Sequence, residues 1–214
     1  MRWKFILGLL TTCAVLMSMS YTMLIPFLPM YLIQDLGVVK ADVDMWSGAI
    51  FAITFLVSGI MAPIWGALAD KKSRKLMALR AGFCLAITYF LGGLVTNPWE
   101  LLGVRFIQGL SAGLWPALLA IISVESPKLK LGFCMGVMQG GMTAGGVLGP
   151  LFGGLLADQF GMRMAFFIAA AALFLITLAL LFFVKEEPRK PDPNAKPVKI
   201  WDFSLCRIPA VKRM

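Results

Sequence analysis

An all-α membrane protein, a bundle of six transmembrane helices, is what this sequence predicts, and three observations predict it. Of 214 residues, 59% are hydrophobic and 14% charged, with a mean hydropathy of +0.83. That is too apolar for a water-soluble domain. The apolar residues fall into long runs, each matching the roughly 20 residues a helix needs to cross a hydrocarbon layer about 30 Å thick. The positive charge, finally, collects in every second inter-run segment. The runs cover residues 5–33, 45–68, 76–95, 99–124, 131–157 and 164–184.

The net charge of +9 could suggest nucleic acid, but its placement has a topological cause. With a cytoplasmic amino terminus, one side of the membrane holds Arg2, Lys4, Lys71, Lys72, Arg74, Lys75, Arg80, Lys128, Lys130 and eight more cations between 185 and 213. The other side keeps Lys40 and Arg163. Basic residues are retained on the cytoplasmic side during insertion, so both termini are expected there, in an inner (plasma) membrane protein of the multi-pass kind. No nucleic-acid partner is expected.

The first run has neither the short apolar core nor the small-residue cleavage site of a removable signal peptide and is read as a retained span. On a helix, Met17, Tyr21, Leu24 and Leu28 share one face, and Pro26 and Pro29 should bend its outer end. Asp35, Asp42 and Asp44 follow in a short loop where water can solvate them. The second run ends in Gly66-Ala67-Leu68-Ala69-Asp70-Lys71-Lys72-Ser73-Arg74-Lys75 and turns directly into the third at Leu76.

The fourth run contains Arg105. An intramembrane charge costs about 2.5 kcal/mol or more on insertion scales, so it should face the bundle or a watery cavity, or else snorkel to the outer surface. Gln108, Ala112 and Trp115 continue its face at helical spacing. With Tyr21 they could line a central cavity for amphiphilic solutes, an oily wall with few polar groups. The run ends at Glu125, where Arg74 could reach it with Asp70 alongside; the other reading is a solvated surface cluster.

The fifth run reads GVMQGGMTAGGVLGPLFGG over residues 136–154. Gly141, Gly145, Gly149 and Gly153 form one smooth strip, and Pro150 removes an N–H beside it and should bend the helix. Such a strip serves close helix packing; as a functional feature it would await a facing wall outside this half. After the sixth run, residues 185–214 are charged and broken by prolines, a basic cytoplasmic linker.

The chain has no histidine, and no convergent acid pair or paired cysteine spacing accompanies Cys13, Cys84, Cys134 and Cys206. No metal, no cofactor and no enzymatic activity are expected.

Three segments carry a resemblance. The loop after the second run is similar to the G-x-L-A-D-R-x-G-R-K signature of the major facilitator superfamily, through Gly66, Leu68, Ala69, Asp70, Arg74 and Lys75. It departs at Lys71 and at Ser73, where a second glycine is usual and a positive φ is adopted less readily by serine. Arg105, Gln108 and Gly109 match the R-x-x-Q-G element that the family associates with proton transfer. Gly136, Gly145, Gly149, Pro150, Gly153 and Gly154 match the fifth-helix antiporter motif.

The resemblance is to the twelve-helix drug/proton antiporter group, covering its amino-terminal half only. It implies a six-transmembrane-helix bundle and efflux of drugs or other small amphiphilic solutes by proton antiport and alternating access, with the proton gradient as energy source. It implies as partners the lipid bilayer, a small-molecule substrate and a missing carboxy-terminal six-helix half. No acidic residue lies deep in a run, so the proton carrier is unassigned, with Asp35 or the missing half as candidates. The competing reading is a truncated or regulatory six-helix membrane protein without transport activity of its own.

Overall fold

The computed structural model describes residues 2–71 and 73–184, without the side chains of Arg2, Ala67, Ala69, Asp70 and Lys71. The basic linker expected at residues 185–214 lies outside the described residues. Helices are α1 (Arg2–Met23), α2 (Leu28–Gln34), α3 (Val43–Lys71), α4 (Arg74–Leu94), α5 (Pro98–Leu110), α6 (Leu114–Glu125), α7 (Leu131–Phe160) and α8 (Met162–Phe183). Six stretches are long and apolar enough to cross a membrane. The apolar run over residues 5–33 folds as α1, long enough to cross by itself, followed by the short α2, and the fourth run folds as α5 followed by α6; the others are single long helices.

The two divided spans have different causes. Between α1 and α2 the chain turns over Leu24, Ile25, Pro26 and Phe27, with Pro29 in the first turn of α2, where its missing N–H costs nothing. Between α5 and α6 it passes Ser111, Ala112 and Gly113, and Gly113 takes φ +118°, a conformation closed to most side chains. The bend expected at Pro150 breaks no secondary structure, since α7 runs unbroken through it.

Helix ends follow local chemistry. Asn97 caps α5 by accepting a hydrogen bond from the Glu100 amide at 2.9 Å. Ser73 caps α4, its hydroxyl accepting from the Leu76 amide at 3.1 Å with φ −63°. The turn before α4 therefore needs no positive φ, and serine in place of the family's glycine is accommodated as a helix cap. Lys75 donates to the Leu181 carbonyl at 2.6 Å, a cation at the carboxyl end of α8 where the helix dipole favours it.

Packing is pairwise: α1 lies along α7, α4 along α8, and α3 against α5. Two buried tyrosines tie the bundle from within. Tyr31 donates to the Gly92 carbonyl at 2.9 Å and Tyr89 to the Ser20 carbonyl at 2.7 Å. Phenol hydroxyls inside a membrane need such acceptors, because no bulk water is at hand. Phe166 packs between their rings, with centroids 5.2 Å from Tyr31 and 6.1 Å from Tyr89.

Candidate substrate cavity

The faces of α1, α3 and α4 and the α5–α6 break enclose a cavity of about 200 Å³, whose lining includes Met17, Tyr21, Leu85, Gln108 and Trp115. Tyr21 of α1 is thus brought together with Gln108 and Trp115 of the fourth span. Tyr21 meets Tyr89 edge-on at 6.5 Å between centroids.

Arg105 stands behind Gln108 rather than in the cavity wall. It is 4% exposed and Gln108 3%, so the guanidinium does not snorkel. Its Nη1 donates to Gln108 Oε1 at 2.9 Å, while Thr54 on α3 donates to its main-chain carbonyl at 3.4 Å. Gly109 belongs to the same contact in another way: a Cβ there would meet the Thr54 carbonyl oxygen at 2.8 Å, so glycine is what lets α5 approach α3.

The break between α5 and α6 is held by two residues that the motifs did not single out. Trp65 donates from Nε1 to the Leu110 carbonyl at 2.7 Å, and Arg80 donates to the Ala112 carbonyl at 2.9 Å. The Arg80 guanidinium lies 3.3 Å from the Trp65 ring centroid, a stacked cation–π contact. Arg80, counted above with the cytoplasmic charges, sits about 9 Å along α4 from Arg74. Its pairing with a helix break is a three-dimensional fact. The available signal was a tryptophan and an arginine near the inner ends of adjacent spans, opposite a fourth span with three small residues in its middle.

The glycine strip of α7 faces α1. A Cβ on Gly149 would lie 2.7 Å from the Met19 carbonyl oxygen and 3.0 Å from the Met23 amide nitrogen; on Gly153 it would lie 2.8 Å from Met23 Cβ. Gly145 rests on the Val15 backbone, and Gly154 faces the Phe27 ring, 3.0 Å from where its Cβ would be. The facing wall expected outside this half is inside it, because α1 offers backbone at the close spacing that only glycine admits. Gly136 differs: it is exposed, and nothing stands within 4 Å of its Cβ position.

At the other motif, Gly66 is exposed with an open Cβ position. No ion pair joins Arg74 to Glu125 among the described residues; both are only partly buried, and at a wet boundary such a pair gains only about 0–1 kcal/mol. The expected share of Asp70 in that cluster lies outside the described side chains. An ion pair is made on the opposite rim, Arg163 Nε to Asp35 at 3.2 Å. It links the end of α2 to the start of α8, with Arg163 also donating to the Val95 carbonyl at 3.3 Å. Asp35 is therefore a partner of a cation and not an isolated acid. Among the described residues no group of His, Cys, Asp and Glu could hold a metal ion.

Comparison with known proteins agrees with this geometry. The sequence profile of the Major Facilitator Superfamily matches residues 10–210. The chain is 42% identical over 186 residues to the multidrug resistance protein MdtG of Citrobacter koseri, covering 86% of this chain and 46% of that protein. It is 40% identical over 187 residues to that of Yersinia enterocolitica, covering 87% and 45%. The chain thus spans about half the length of the curated relatives it matches. Among solved structures, a bacterial homologue of the human lysosomal transporter Spinster, inward-facing and unoccupied, aligns with TM-score 0.73 at 23% identity, over 92% of this chain and 46% of its own. The POT-family transporter PepTSo aligns with TM-score 0.73 at 14% identity, over 88% and 40%. These two establish likeness of fold.

Proposed function

The chain belongs to the Major Facilitator Superfamily, and we propose that it forms the amino-terminal half of a transporter that exports drugs or other small amphiphilic solutes. The observation that carries this reading is the cavity of about 200 Å³ between α1, α3, α4 and the α5–α6 break, mostly apolar in its lining, with Tyr21, Ser58, Gln108 and Ser111 as its polar side chains. A flexible, thioether- and aromatic-lined wall suits solutes of varied shape. The names of the relatives support drugs as a substrate class.

In this reading the two halves rock about the cavity, so that it opens to each side in turn, and the proton gradient supplies the energy without any cofactor. The membrane is the inner membrane, with both termini cytoplasmic, as the charge asymmetry favours. A non-transporting, regulatory six-helix protein is less well supported, because the relatives carry about as much chain again. An enzyme is disfavoured by the family and by the relatives alike.

The test compares cells expressing a full-length gene with cells expressing residues 1–214 alone. Drug tolerance and saturable efflux are expected from the first and not from the second. Saturable efflux by the 214-residue form as a monomer would overturn the half-transporter reading.

A further inference from the structure

A groove of about 330 Å³ lies between α4 and α8, lined entirely by apolar side chains. Its floor is small, Ala86 and Ala170, and its walls are large and open to the outside, with Ile87 55%, Phe90 51% and Phe174 47% exposed. Aromatic pairs mark its ends: Phe90 with Phe167, ring centroids 5.3 Å apart, and Phe83 with Phe174 at 5.5 Å. Past each end the two helices close up. A Cβ on Gly93 would lie 2.8 Å from the Phe167 ring, and one on Gly82 2.8 Å from Thr177 Cγ2. On α4, Ile87 is about 200° around the helix from Leu85, which lines the substrate cavity. A second half that closes over that cavity therefore leaves the groove to the bilayer.

The groove has a limited depth and a polar end. Arg163, Phe167, Ala170, Ala171 and Phe174 follow one face of α8, and Arg163 to Phe174 is about 16 Å of helix, half of a hydrocarbon layer about 30 Å thick. In α8, which runs from Met162 to Phe183, Arg163 thus stands at the interface and Phe174 near the midplane. The guanidinium bridges the outer ends of both helices, Nη2 donating to the Val95 carbonyl, one residue past α4, at 3.3 Å. Its Nε faces Asp35 at 3.2 Å, the side chain is 42% exposed, and Nη1 makes no hydrogen bond among the described residues. Donors are therefore left over at the mouth of an apolar slot one leaflet deep. Asp35 balances the charge, so this rim is dipolar and not net positive. A helix crossing the bilayer would cover the whole of α8, not its outer half.

We propose that this groove is a phospholipid site of the outer leaflet: one acyl chain lies between Phe90 and Phe174, and the headgroup phosphate accepts hydrogen bonds from Arg163 Nη1. The neutral rim selects a zwitterionic ethanolamine headgroup, whose ammonium is drawn to Asp35 while its phosphate is drawn to Arg163. The leaflet follows from the orientation proposed above. The site rests on the transport reading only in placing the other half on the cavity side of α4.

The test takes purified full-length protein, stripped of lipid in detergent, and records native mass spectra with phosphatidylethanolamine, phosphatidylglycerol and diacylglycerol that share their acyl chains. One phosphatidylethanolamine per protein is expected to be retained, at concentrations about tenfold below those diacylglycerol needs, the span of a hydrogen bond to a charged group, and in preference to phosphatidylglycerol. Ala171→Phe, on the exposed side of the groove, fills the slot and should abolish retention of all three, with the lipid-free melting temperature unchanged. Arg163→Gln should remove the preference over diacylglycerol. Asp35→Asn leaves the rim positive and should turn the preference from the ethanolamine to the glycerol headgroup, a reversal that loss of a merely structural ion pair would not give. Retention that ignores the headgroup, favours phosphatidylglycerol in the parent protein, or survives Ala171→Phe would overturn the proposal. So would a dimer in place of bound lipid that Ala171→Phe dissolves, which gives the groove to a second copy. No transport is measured, so failure here leaves the efflux reading standing, and a protein that retains the lipid but does not pump sinks the efflux reading alone.

Discussion

Helix α7 carries two strips of glycine at four-residue spacing, and they have opposite fates. Gly141, Gly145, Gly149 and Gly153 are pressed onto α1, so close that a methyl group at any of them would meet α1 atoms at under 3 Å. Gly132, Gly136 and Gly140 lie one residue earlier in the repeat, about 100° around the helix, and have nothing within 4 Å of their Cβ positions. Composition and period are the same in both. The difference is the neighbour: α1 presents Thr11, Val15, Met19 and Met23 to one strip, while no described helix reaches the other. A glycine repeat specifies a smooth surface, and only the rest of the fold says whether that surface is in use.

Substitutions can break this contrast. The largest effect is expected for Gly149→Leu, since beyond the Thr22 hydroxyl it would strike the α1 backbone at Met19 and Met23, and the helices would have to part. A loss of more than about 3 kcal/mol, the upper range for overpacking, should appear in detergent-induced unfolding; stability within about 0.5 kcal/mol of the parent would mean that the seam can open freely. Gly145→Ala adds one methyl against the Val15 backbone, and about 1–3 kcal/mol should be lost by the same measurement. Tyr89→Phe asks whether fit to α7 is all that holds α1, because it removes the bond to Ser20 from the other side. A loss of about 0.6–1.7 kcal/mol is expected, as for other hydrogen bonds between membrane helices, and no change would leave the glycine seam as the principal restraint. Gly140→Ala, on the open strip, should be neutral or stabilise by up to about 1 kcal/mol through helix propensity. If it costs as much as Gly145→Ala, the two strips are not different in kind and the comparison fails.

Much of this architecture was legible in the chain. Hydropathy locates six apolar runs because each must satisfy its backbone within itself, a demand that acts on local sequence. Pro26 and Pro29 announced the division of the first span. Ser111 and Gly113 did not announce the division of the fourth, since small residues are equally common in packed, continuous membrane helices. Arg105 and Gln108 could be placed on one face by spacing alone, but their near-complete burial depends on the helices packed around α5. Arg80 was misread for a related reason: charge counting assigns a cation to the nearest water, whereas the Trp65 ring and the Ala112 carbonyl offer it a site within the protein. The Arg74 to Glu125 pairing was an expectation about two charges near a wet boundary, where little energy selects one partner over another.

The stapled break in the fourth span has a consequence for how the chain is made. Synthesis runs from the amino terminus, so Trp65 and Arg80 have left the ribosome before Leu110 and Ala112 exist. The carbonyls freed by the break therefore arrive in a bilayer where their donors are already waiting, and a segment with poor helical continuity need never face lipid unaccompanied. Helix α1 has the reverse history. At about 5–20 residues per second, its glycine-bearing partner α7 follows on the order of ten seconds later, and through that interval the face around Val15 and Met19 has to be covered by something else: lipid or the insertion machinery.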